Sequence, residues 1–529
     1  MGAGIQTTVT GPTYDPDAQL FFNAQTAAGV TLTTTQMNAV NQWVLDSKAA
    51  NIWTKFKAIY PMVGSTATSQ KFNLKNPLDT NAAFRLVFSG GFTFSSTGCQ
   101  PNGINTYAST FLIPATSLSA SSSHVSIYNR TAGSGTINDW GTSGGALAFA
   151  TAVSLGGLAY LDCYNSSTNR IVTANADAKG YYISSRSSST SLKLFKNAAQ
   201  LGTTNVNASV GVAGLGVDVK LFSYNPVANI SNRECAFASI GDGLTDLESQ
   251  LLYQITEKYQ VALSRNINTT QSFYYNSAYN NETNAFLFST QITDNTIQTA
   301  TNTLVSDLKT ANIFTKMKAI YPMVGGTATT HKFNLVNAQD TNEAFRLVFA
   351  GGVTHSSNGI LGNGTNGYAN TFLDPSIAFP SGFASMGFYN RVAITSLNYF
   401  MGVILSSVNF FRIQAVVSNV MRHVSKGTAA TNHTLTDRLG FHANSRTSNT
   451  LLTSIDNTGA FQTNTTTVSG AYPSLSIPLF AANSSVSGIG SYINAELSFA
   501  YISDALTSAE LTTLKSINQT FQTTLARNV

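Results

Sequence analysis

The sequence reads as an all-β protein made of two tandem sandwiches. Three features carry that reading: a long internal repeat, short apolar runs ending in turn residues, and a composition that is polar without being charged. The repeat comes first, because self-similarity at a fixed period decides how much chain one domain receives. Residues 51–112 align without a gap to residues 312–373, at an offset of 261, with about 43 of 62 positions identical. The offset persists from Tyr128-Asn129-Arg130 to Tyr389-Asn390-Arg391, is 260 between Arg186 and Arg446, and is 262 between Glu234 and Glu496. Such a period is far longer than that of a solenoid, so each copy is expected to be a domain with its own core. The expected division is an N-terminal arm over residues 1–30, a first sandwich over 31–266 and a second over 267–529.

The arm carries Pro12, Pro16 and the cluster Leu20-Phe21-Phe22. It has too few apolar residues for a core, and such a cluster is awkward in water, so the arm is expected to dock on another subunit or another protein. Each sandwich is expected to open with a helix. Thr33 and Gln36 have capping-box spacing ahead of Met37, Val40 and Val44, and Asp294 caps a run through Ile297, Ala300, Leu304 and Leu308. Strands follow: residues 83–88 (AFRLVF) and 191–196 (SLKLFK) alternate or run apolar for about six residues. Each copy then closes with a helix. Thr245 and Glu248 form a capping box before Leu252, Ile255, Tyr259 and Leu263, and Thr507 and Glu510 repeat it before Leu514, Ile517, Phe521 and Leu525. Spacings of three, four and four lay these residues on one core-facing stripe.

Charged residues are 10% of the 529, and the net charge is +5, too thin a distribution for a phosphate-binding surface, which excludes nucleic acid as a partner. Hydrophobic residues at 43% exclude general disorder. Cys99, Cys163 and Cys235 all lie in the first copy, cannot form a four-Cys zinc site and read as buried thiols. The start MGAGIQ lacks the basic and apolar segments of a signal peptide. The uncharged stretch 140–161 is long enough for a bilayer, but Gly144-Gly145 and Gly156-Gly157 divide it into strands, so no membrane span is expected.

The segments GYYISSRSSSTSLKLFKN (residues 180–197) and CAFASIGDGLTDLESQLLYQITEKYQVALSR (residues 235–265) resemble the laminin-G-like, concanavalin A-like lectin/glucanase sandwiches encoded by tailed bacteriophages. AIYPMVG and FRLVFSGG are similar to segments of phage virion proteins. The resemblance implies an antiparallel jelly roll in each copy and a place on the surface of a virus particle: capsid, tail or fibre. The second copy departs from it, with GFHANSRTSNTLLTSIDN at residues 440–457 and Ile502-Ser503-Asp504-Ala505 where the first copy has Ile240-Gly241-Asp242-Gly243.

A retaining glycosidase needs two carboxyl groups about 5 Å apart, and no period-two acidic pattern occurs. Asp242 and Glu234, repeated as Asp504 and Glu496, are the first suspects if a catalytic site exists, whereas Asp246 reads as a helix-start carboxylate. Asp79 reads as turn chemistry, and Arg85/Arg346 and Arg186/Arg446 as structural cations needing partners. The histidines form no zinc motif; His331 and His355 are Gln70 and Phe94 in the first copy. No catalytic residue, metal or cofactor is therefore expected. The repeated turn places Asn102, Asn105 and Tyr107, and again Asn363, Asn366 and Tyr368, where amides and a ring could hold a sugar, or where they simply build the turn. The expectation is a non-enzymatic virion structural protein, homo-oligomeric and joined to other virion proteins through its arm. The alternatives are an adhesin for host surface glycans and a divergent glycoside hydrolase.

Overall fold

The computed structural model describes residues 14–529, apart from 133–137, 145–146, 167, 212–214, 225–228, 395–396, 407–408, 417–418 and 436. The chain separates into two compact units, Met1–Ser277 and Ala278–Val529.

In the first unit one sheet runs in the order Ala199–Gln200, Ser191–Lys196, Gly180–Ser188, Ser123–Asn129, Cys235–Gly241, Gly98–Gln100, Thr93–Ser95, and Phe56–Tyr60 also pairs with Cys235–Gly241. The second sheet runs Ile171–Ala174, Leu158–Ser166, Leu147–Leu155, Trp140–Gly144, Lys220–Leu221, Tyr107–Ser109, Val87–Ser89. The strand pairings are antiparallel, as the sequence led us to expect of a sandwich. Val125, Ile127 and Leu194 from one sheet meet Phe149, Leu161 and Cys163 from the other in one buried cluster. Burying each large aliphatic side chain contributes about 1.5–3 kcal/mol. The expected division of residues 140–161 into strands is observed: Gly156 and Gly157 turn the chain with φ of 60° and 82°, conformations that suit glycine.

Every residue of Ser123–Asn129 and of Cys235–Gly241 is buried, because the outer face of this sheet is also covered. The helices Thr34–Ala49 and Asp246–Ala262 lie there. Trp43 packs against Phe237 with ring centroids 5.2 Å apart and donates its indole N–H to Thr256 at 3.2 Å. The capping boxes on Thr33 and Thr245 form as expected. Leu252, Ile255 and Tyr259 of the closing stripe are buried and Leu263 is half-buried.

The second unit repeats the plan. Its first sheet centres on Ala384–Asn390 between Gly440–Ser448 and Glu496–Asp504, under helices Asn295–Thr310 and Ser508–Thr524. Asp294 and Thr507 cap these helices; Leu514 and Phe521 are buried while Ile517 and Leu525 are half-buried. Its second sheet has an additional hairpin, Ala482–Ser484 with Gly488–Gly490, whose first strand joins Tyr399–Ser406 in parallel.

Two expectations change. Residues 83–86 are not strand: Asn81–Ala83 is a 3-10 turn and Phe84 is left-handed with φ 59°, so only Val87–Ser89 joins a sheet. The Asn73 side chain, donating to the Ala83 carbonyl at 3.0 Å, helps hold that turn away from the sheet. The second change concerns the arm. Residues 1–13 lie outside the described residues, but Pro16–Ala27 is a helix whose Phe21 and Phe22 are buried within the first unit, leaving Leu20 alone exposed. The cluster that was to dock on another protein already has its apolar partners. The second unit contains the same device in helix Asn281–Thr290. Asp15 N–H donates to the Asn41 side chain at 2.7 Å and Lys48 pairs with Asp17. Correspondingly, Asn280 N–H donates to Asn302 at 2.8 Å and Lys309 pairs with Glu282. Residues 266–277 also stay with the first unit, where Asn268 donates to the Tyr253 hydroxyl and Lys258 to the Tyr275 carbonyl.

Candidate functional site: a pocket on the second sheet of the first unit

Along Leu147–Leu155 and Leu158–Ser166 alternate side chains face opposite ways. Phe149, Val153, Leu161 and Cys163 enter the core, so Ala150, Ala152, Tyr160 and Asp162 share the outer face. Two alanines side by side leave a depression that larger residues would fill. Tyr160 and Asp162 stand next to it, Arg170 rises from the adjoining turn, and Asn138, Leu155, Tyr224 and Asn229 complete the wall of a pocket of about 170 Å³. Gly141 makes the Tyr224 wall possible. A Cβ there would run into the Ser223–Tyr224 backbone, which crosses the sheet at this point.

Arg170 Nε donates to Asp162 Oδ1 at 2.9 Å, and the guanidinium carbon lies 5.7 Å from the centre of the Tyr160 ring. Burial raises the Asp162 carboxyl to about 6 in spite of the Arg170 charge, which acts to lower it. The pocket thus offers an acceptor, donors, amides and aromatic surface at one concave spot, the ordinary make-up of a small-ligand site. Asp162 is the single carboxylate among its described lining residues.

The amides expected to bind a ligand are engaged in their own turns. Asn102 Oδ1 accepts from Ile104 N–H at 2.8 Å and Asn105 N–H at 3.1 Å, and its Nδ2 donates to Asn105 at 2.7 Å. Asn363 Oδ1 accepts from Thr365, Asn366 and Gly367 N–H, and Asn363 Nδ2 donates to Asn366. The half-buried Tyr107 lies beneath Lys220 Nζ, at 5.7 Å, whereas Tyr368 stacks on Tyr492 with centroids 6.2 Å apart.

The acidic suspects are separated rather than gathered. Glu496 and Asp504 end one nine-residue strand, Glu496–Asp504, which at about 3.3 Å per residue keeps them about 26 Å apart. Glu234 and Asp242 hold the same relation around Cys235–Gly241. Each is ion-paired: Glu234 with Arg130 at 2.7 Å, Asp242 with Lys57 at 3.3 Å, Glu496 with Arg391 and Asp504 with Lys318, both at 2.9 Å. Asp246 pairs with Lys193 at 2.8 Å in the first turn of its helix. Asp79 joins Lys71 and Arg85, Asp340 joins Lys332 and Arg346, and Arg186 donates to the Cys163 carbonyl, the structural pairings the sequence suggested. The three thiols are buried and free. Among the described residues no cluster of three metal-ligating side chains occurs, and no helix is long and apolar enough to cross a membrane.

The sequence matches no protein-family model and no curated protein. It overlaps in part with solved structures. One is of botulinum neurotoxin type C, whose cell entry is described as dependent on two ganglioside molecules (13% identity, 39% of this chain, 53% of that one, TM-score 0.30). Another is a mutant Trypanosoma rangeli sialidase displaying trans-sialidase activity (11% identity, 67% of this chain, 52% of that one, TM-score 0.32). A third is the NanB sialidase of Streptococcus pneumoniae (11% identity, 27% and 26%, TM-score 0.21). The chain spans about half or less of the length of these structures. Overlap this partial assigns neither ligand nor activity.

Proposed function

We propose that this chain is a carbohydrate-binding protein of the adhesin type, which holds a sugar in the first unit's pocket and does not cleave it. The observation that carries the reading is the pocket itself: paired Asp162 and Arg170 beside Tyr160, over a floor of Ala150 and Ala152. Rings of tyrosine cover the apolar face of a sugar, and the charged pair exchanges hydrogen bonds with its hydroxyls. The same lining supports binding without cleavage, since most glycosidic hydrolysis uses two carboxyl groups and the described lining residues supply one, Asp162. The resemblance of residues 180–197 and 235–265 to phage-encoded sandwiches supports display on a virion surface, where an adhesin meets host glycans. The test is a glycan array with the full chain, followed by an assay for new reducing ends on every glycan bound. Binding without release is expected; release that disappears in Asp162→Asn would make the chain a hydrolase. Detection of the chain in purified particles would test the setting separately.

A further inference from the structure

Resting on that reading, we infer that the pocket selects a single uncharged sugar ring presenting two neighbouring hydroxyls, and rejects acidic sugars. The size of the site suits one ring: about 170 Å³, with Tyr160, Tyr224 and Asn229 in its lining, matches a terminal or side-branch residue. The choice of charge comes from the ion pair. The contact between Arg170 and Asp162 uses Nε and Oδ1, at 2.9 Å, and among the described residues Asp162 Oδ2 and the terminal guanidinium nitrogens make no other hydrogen bond. An acceptor thus stands next to donors. Two adjacent hydroxyls, each able to donate and to accept, satisfy both at once, one giving its proton to Oδ2 and the other receiving from the guanidinium. An anionic sugar would bring a second carboxylate against Asp162, which is already largely withdrawn from water and already neutralises Arg170.

The second unit supplies the negative control within the same chain. Cross-strand register places Arg412 opposite Gly402 and Val424, just as Ala150 stands opposite Gly141 and Asp162. At the position equivalent to Ala150, Arg412 stacks over Phe410 at 3.9 Å and donates to the Tyr399 hydroxyl at 2.8 Å. Val424 replaces the carboxylate. Ala150→Arg therefore writes the second unit's solution into the first.

The experiment uses an array of neutral and sialylated or uronate-bearing oligosaccharides, read with the full chain as wild type, Ala150→Arg and Asp162→Asn, each checked for an unchanged melting profile. Neutral glycans alone should bind, with more than tenfold loss in either variant; Asp162→Asn keeps the side-chain shape should Ala150→Arg disturb the sheet. Acidic glycans bound in wild type and lost in Ala150→Arg would overturn the selectivity while leaving the glycan reading intact. Glycan binding that survives both variants would remove the pocket from the account. No binding by wild type would overturn the glycan reading with it.

Discussion

The two units are one sequence repeated, and they solve the same interior problem in opposite ways. In the first, Asp139 and Arg233 form a buried ion pair at 2.7 Å. Asp139 also accepts from the Asn129 side chain and the Val153 N–H, and Arg233 donates to the Ala132 and Ser154 carbonyls. In the second, the corresponding positions are Phe400 and Ala495, and Phe400 stacks on Phe388 with centroids 4.3 Å apart. A buried, fully hydrogen-bonded charge pair and an apolar packing of similar volume are thus interchangeable in this sandwich, although half of either solution is not. The outer faces differ in the same manner: small residues and a carboxylate in the first unit, Arg412, Gln414 and Val424 in the second. The lining of an outer face can thus change between the copies while both retain the fold.

The largest expected difference is in acid. The first unit has one histidine, His124, which burial lowers to about 4. The second has five, with His331 lowered to about 3, His442 to about 4 and His423 well below its ordinary value, each chiefly by burial. His433 is lowered too, although Asp456 at 3.1 Å opposes the shift, and His355, 3.0 Å from His331, moves the same way. Held below their ordinary value in the fold, these imidazoles take up protons more readily when unfolded. Their contribution is therefore complete above the unfolded pKa of about 6.5 and is lost as pH falls below it. At pH 5 each deeply buried imidazole costs about 2 kcal/mol, so calorimetry should show the second unit losing about 6 kcal/mol, whereas in the first the buried carboxyls of Asp162 and Glu257, raised to about 6 and about 7, take up protons in the folded state and offset the loss at His124. Equal losses would contradict this assignment of buried neutral rings.

Next in size is the ion pair. Arg233→Ala should destabilise the first unit by about 3–5 kcal/mol by leaving Asp139 unpaired, and Asp139→Phe combined with Arg233→Ala should recover most of that loss. A double variant no better than the single one would show that the second unit's solution depends on its wider surroundings, Phe388 included. Denaturant midpoints provide the measurement, and the shift also identifies the first unit's transition. Leu252→Ala and Leu514→Ala, at the same place in the two closing helices, should each cost roughly 2–5 kcal/mol in their own unit. An unchanged midpoint in either would mean that its stripe faces less than a core. Smallest is the turn: Asn102→Ala and Asn363→Ala should lose about 1 kcal/mol each without affecting glycan binding. Lost binding would return the ligand to that turn.

Much of this architecture was legible in the sequence because it is written in local chemistry and then repeated. Thr33, Thr245 and Thr507 cap helices with the spacing they display, and the stripe from Leu252 to Tyr259 is buried as its period requires. The short helix ahead of each opening helix, Pro16–Ala27 and Asn281–Thr290, was harder to see. Its two versions, PDAQLFFNAQTA and NETNAFLFST, share little, and nothing local tells Phe21 and Phe22 that their partners lie in the same unit. The pocket was hidden for a different reason: it is made of absences. Ala150 and Ala152 read as ordinary strand residues until the pleat assigns their face. Asp162 and Arg170 lie eight positions apart and meet only because the chain folds back between neighbouring strands. The amides of Asn102 and Asn363 were conspicuous because turns need them, and a turn already uses them.

The most direct measurement is a calorimetric titration of the full chain with a neutral glycan taken from the array. One site per chain is expected, weakened more than tenfold by Ala150→Arg. Affinity should fall as pH drops through about 6, where the Asp162 carboxyl takes up its proton and ceases to be an anionic acceptor. Two equivalent sites per chain, or a single site indifferent to Ala150→Arg, would contradict that expectation.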